Sequence, residues 1–132
     1  MDLKDFAPKS DEVEVVVKHP VNGEPLTNKD GSDMVIVLHA PHSKAYKEVL
    51  YEQTNKRLKA AQGSGNTDFT AQDLEEASLE LLSKVTKSWK ITYDEKQPKL
   101  TVAKAKAIYD ELFWLKPQIE EALNNAEVFT KA

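Results

Sequence analysis

Valine at positions 13, 15, 16 and 17 gives the chain its first ordered signal. A β-branched run of this kind reads as a strand. It stops at His19-Pro20, because proline has no N–H to give to a ladder. Val21 to Leu26 is turn-rich around Asn22-Gly23, and Thr27 to Asp33 is a second polar loop holding Asp30-Gly31. Met34 to Leu38 reads as the next strand. The two strands are expected to pair antiparallel, with a short third piece near Leu26. A lone hairpin is marginal in water, so this sheet needs a helix or a partner over it.

From Ser43, a good helix cap, the apolar spacing changes to the helical one. Tyr46, Val49, Leu50, Gln53, Arg57, Leu58 and Ala61 recur along one face, predicting a long amphipathic helix to about Ala61. Gly63-Ser64-Gly65-Asn66 breaks it and reads as a flexible connector. Thr70 with Asp73 predicts a capped second helix, with Phe69 and Leu74 placed for a hydrophobic staple. Its apolar face runs Leu74, Ala77, Leu81, Leu82, Val85 and Trp89. A short extended piece is expected at Ile91-Thr92-Tyr93. Thr101 caps a third helix running to Leu115, and Pro117 sits in the first turn of a fourth that buries Ile119, Ala122, Leu123, Ala126 and Phe129. The order, strands then helices, predicts an α+β fold: a small N-terminal antiparallel sheet of two or three strands followed by about four helices. Residues 1–42 form the β-hairpin region, with a loose start over 1–11, and residues 43–132 the helical region, together one domain.

The 132 residues are enough to bury a core without a metal or disulfide, and the absence of cysteine excludes disulfides, thiolate metal sites and cysteine nucleophiles. No apolar run approaches the roughly 20 residues that span a bilayer. The acidic start Met1-Asp2-Leu3-Lys4-Asp5 does not read as a signal peptide, so the protein is expected to remain where it is made. Net charge is −4, and residues 1–42 carry four lysines against eight acids. No dense basic stripe forms, which argues against nucleic acid as a partner.

Catalytic signatures are missing. His19, His39 and His42 fall short of a zinc set in spacing and ligand number, since Pro41 rules out a helix between the last two. Gly63-Ser64-Gly65 is neither a nucleophile elbow nor a phosphate-binding loop. Glu75-Glu76 and Glu120-Glu121 read as solvated helix surface. Neither enzyme activity nor a cofactor or metal is expected. The remaining candidates are aromatic: Trp89, Tyr109, Phe113 and Trp114. Phe113 and Trp114 are adjacent, so one narrow helical stripe cannot bury both. Core placement is the expectation for Trp89, Tyr109 and Phe113. Trp114 is the favoured partner anchor provided the sheet does not cover it, because tryptophan and tyrosine are enriched at binding hot spots. Trp114→Ala is accordingly expected to weaken a partner complex more than it lowers stability.

Two blocks carry a family resemblance over most of the chain. The first runs from Val15 through His19-Pro20-Val21-Asn22-Gly23-Glu24-Pro25-Leu26, then Met34 to Leu38 and Ala40 to Tyr46. The second comprises Trp89 to Ile91, Leu100 to Tyr109, and Leu115-Lys116-Pro117-Gln118-Ile119 through Phe129. These resemble the tail assembly chaperones of long-tailed, siphovirus-type bacteriophages. The resemblance implies a non-enzymatic protein in the host cytoplasm that coats the tape-measure protein, keeps it soluble, helps recruit tail tube subunits and is absent from the mature virion. Many members of that family are also made in a longer form by programmed frameshifting, and the present length is like the shorter form. Partners would be the tape-measure and tail tube proteins, with no nucleic acid and no membrane; self-association is left open. The alternative is a structural minor tail or connector protein retained in the virion.

Overall fold

A computed structural model describes residues 2–6, 10–64 and 70–128. After a 3-10 turn at Leu3–Phe6 come strands β1 (Glu12–Val16) and β2 (Val35–His39). Helices α1 (Lys44–Ser64) and α2 (Ala71–Val85) follow. The chain then returns to the sheet as β3 (Thr86–Lys90) before α3 (Val102–Glu111) and α4 (Leu115–Val128). The fold is α+β, with a three-stranded antiparallel sheet in the order β1-β2-β3.

Alternation on the strands decides which face is buried. Val13 pairs with Leu38 and Val15 with Ile36, and these four side chains point into the core. Leu79, Leu82 and Val85 of α2, Ile108 and Tyr109 of α3, and Ile119 and Leu123 of α4 close over them. The other face sets Glu12, Glu14 and Val16 opposite His39, Val37 and Val35.

The expected short piece near Leu26 is present as a pair of bridges. Leu26 N donates to Val17 O and Leu26 O accepts from Met34 N, each at 2.9 Å. Bridges Lys18↔Pro25 and Thr27↔Asp33 flank it. Both turns use glycine where the backbone demands positive φ: Gly23 at 73° and Gly31 at 87°. Asn28 lies at the centre of the second loop, only 4% exposed. Its side chain donates to Ser32 Oγ, Asp33 O and Lys90 O and accepts from Thr92 Oγ1 at 2.7 Å, tying the loop to the end of β3.

The predicted caps form. Ser43 Oγ accepts from Tyr46 N, Thr70 and Asp73 make a reciprocal capping box, and Thr101 Oγ1 accepts from Lys104 N. Pro117 is the third residue of α4, where a missing N–H costs no helical bond.

Three expectations are corrected. The second helix stops at Val85, and Trp89, expected on its apolar face, belongs to β3. Pairing with β2 overrides the helical spacing: Trp89 sits opposite Ile36 and Thr86 opposite Leu38, with Lys87 as an extra, bulged residue. The region 43–132 is therefore not wholly helical, and the third strand is at 86–90, not at Ile91 to Tyr93. The third helix ends at Glu111, short of Leu115, because Leu112 leaves helical geometry (φ −93°, ψ 79°). The expected staple through Phe69, the connector at Gly65-Asn66 and the buried Phe129 lie outside the described residues.

Candidate functional site

Tyr109 is sealed inside. Its Oη lies 2.8 Å from Thr86 Oγ1, which also donates to Leu82 O, and its ring meets Trp89 edge-on at 6.4 Å and 83°. Burial pushes the Tyr109 phenol up to about 12. Trp89 is half-buried, and its Nε1 donates to Pro98 O at 2.9 Å. These two rings fasten β3 to α3 and to the segment before it.

Phe113 and Trp114 exchange the places expected for them. Phe113 is 82% exposed, whereas Trp114 is half-buried against the core. The helical spacing used to place Phe113 lapses once α3 ends at Glu111. The four aromatic candidates thus do not make one surface: Trp89 and Tyr109 touch in the interior, and Phe113 faces solvent.

The histidines serve as loop ties. His19 Nδ1 accepts from Val21 N and Asn22 N, and His42 Nε2 donates to Ser10 O at 3.0 Å and lies 3.3 Å from Asp11 Oδ1. His39 ends β2 opposite Glu12. No group of three or more metal-binding side chains occurs among the described residues, and no helix among them is long and apolar enough to cross a membrane. One shallow concavity of about 400 Å³ lies beside the tight turn Tyr93–Lys96, lined by Lys96, Lys99 and Lys104. There the Lys104 amine stands 5.1 Å over the Tyr93 ring, and Glu111, accepting from the Tyr93 hydroxyl, raises its pKa.

Apolar surface is left open on α1 and at the start of α2. Tyr46 and Val49 in the first turns of α1 pack on the core, and Gln53 Nε2 donates to Ala77 O at 2.9 Å. Glu52 pairs with Lys84, which Glu80 also holds, and the Lys84 amine keeps the Glu80 carboxyl below the usual carboxylate range. Beyond Gln53 the helix runs on with every side chain from Thr54 to Ala60 exposed. Leu58 was expected on the buried face but is 56% exposed: it lies beyond the anchored first half of the 21-residue α1 and, seven residues from Tyr51, on the side away from Gln53. Leu74, expected in the α2 core face, is 57% exposed, and Tyr51 is 59% exposed. Tyr51 was not singled out from the sequence. Its seven-residue spacing from Leu58 is the signal that marks it.

Comparison with known protein families, with curated proteins and with solved structures finds no match to this chain in any of the three.

Proposed function

We propose that this protein is a phage tail assembly chaperone that binds the tape-measure protein, keeps it soluble and helps bring tail tube subunits to it. The observation that carries this is the helix α1, which leaves Tyr51 and Leu58 in water while Tyr46 and Val49 in its first turns are held to the core. A long helical client with an apolar stripe needs an apolar face of this kind, presented on a helix and rimmed by charge. The sequence resemblance supplies the client's identity. Under this reading the protein acts in the host cytoplasm and is left behind when the tail is complete.

Co-expression with the tape-measure protein is the direct test. The expected result is a larger soluble fraction of client and recovery of both chains in one complex. Equal insolubility of the client with and without this chain rejects the reading. Recovery of the chain from purified mature particles at fixed stoichiometry would favour a retained structural protein.

A further inference from the structure

We infer that the outward face of α1 binds an amphipathic helix whose apolar stripe is flanked by acidic residues. This rests on the chaperone reading and specifies which face takes the client and what chemistry the client segment carries. Tyr51 and Leu58 are seven residues apart, so they stand in line two turns from each other, on the side of α1 away from Gln53 and its contact with α2. Both are more than half exposed. At the head of the same line His42, Lys44, Lys47, Glu48 and Tyr51 surround a concavity of about 460 Å³. It is large enough to accept a side chain from a helix lying along the stripe.

The charge around this line is predominantly positive. Lys44 and Lys47 precede Tyr51 by two turns and one, and Lys59 adjoins Leu58. The acids of α1 are Glu48 and Glu52; Glu52 is held by Lys84 at 3.2 Å, and Glu48 lies 4.0 Å from Lys44. From Gln53 to Ser64 the helix has no acid, and Lys59 flanks the line, while Lys56 and Arg57 lie toward the Gln53 side, where Lys56 acts on Glu80 of α2. An approaching helix with glutamates beside its apolar stripe meets complementary charge along this length, whereas one with lysines there is repelled.

Two synthetic helical peptides with the same leucine stripe, one flanked by glutamate and one by lysine, test the inference by fluorescence anisotropy with the full-length protein. The glutamate peptide should bind at least about tenfold more tightly, and its affinity should fall as salt rises. The exposed double variant Tyr51→Ala/Leu58→Ala should lose at least about tenfold in affinity with its thermal transition unchanged. Equal affinity for the two peptides, no binding of either, or wild-type affinity in the double variant would overturn the inference. The same variant in the co-expression assay separates the two levels. If it solubilises the client as well as wild type does, α1 is the wrong face and the chaperone reading stands. If wild type itself does not solubilise the client, that reading fails, whatever the peptides do.

Discussion

Glu95 holds a backbone conformation that its side chain disfavours. It and Asp94 occupy the centre of the turn closed by Tyr93 and Lys96, with φ of 63° and 53°. Positive φ at both central residues is the pattern that selects asparagine and glycine, and aspartate tolerates it far better than glutamate. Glu95→Gly should raise stability by about 1 kcal/mol, read as a higher urea midpoint. An unchanged or lower midpoint would mean that the Glu95 side chain offsets its own strain. Single-residue exposure also reverses the expectation attached to Trp114. Phe113→Ala should move stability by no more than about 0.5 kcal/mol, as surface changes do. Trp114→Ala should cost about 2 kcal/mol, less than a fully buried tryptophan because part of its surface stays in water. Thermal melts of the two variants distinguish these outcomes, and a Trp114→Ala melt matching wild type would return that residue to the surface.

At the scale of elements, the loop 27–33 and the strand β3 are joined by one side chain. Asn28→Ala strands the Thr92 hydroxyl and removes the donor to Lys90 O, two partners more than 60 positions away. Unsatisfied buried polar groups make this cost about 2–3 kcal/mol in chemical denaturation, and a loss below about 0.5 kcal/mol would show that water replaces the amide without penalty. Nearby, Lys90 and Ser32 hold the Asp30 carboxyl well below the usual carboxylate range. The elements themselves were unevenly legible. β1 and β2 announced themselves by valine runs, and three helix starts by Ser43, Thr70 and Thr101, because caps and β-branching are local properties. β3 was hidden because Val85 and Trp89 are four apart and continue the helical spacing of α2. Only pairing with β2, fifty residues earlier, makes Thr-Lys-Ser-Trp-Lys a strand. The candidate surface was hidden for another reason. Leu58 falls into one apolar series with Tyr46 and Val49, but nine residues from Val49 is two and a half turns, which sets it on the opposite side of the helix.

Across the whole molecule, anchoring falls off from the sheet outward. β2 lies between two partners and contributes Ile36 and Leu38, both fully buried. α1 is held at its base by Tyr46, Val49 and Gln53 and then leaves the body. Opening free energies follow such gradients in local contact, so the distal turns of α1 can adjust to a bound helix without disturbing the core.

Gln118 makes one further link between distant parts. Its carboxamide accepts from Lys18 N and donates to Lys18 O, both at 2.9 Å, in the manner of a neighbouring strand's peptide group. α4 thus recognises main chain, not a side chain, at the edge continuing β1. The two positions should therefore differ in their freedom to evolve. Any residue with an amide hydrogen can stand at 18, and proline alone is barred there, whereas 118 has few substitutes for glutamine.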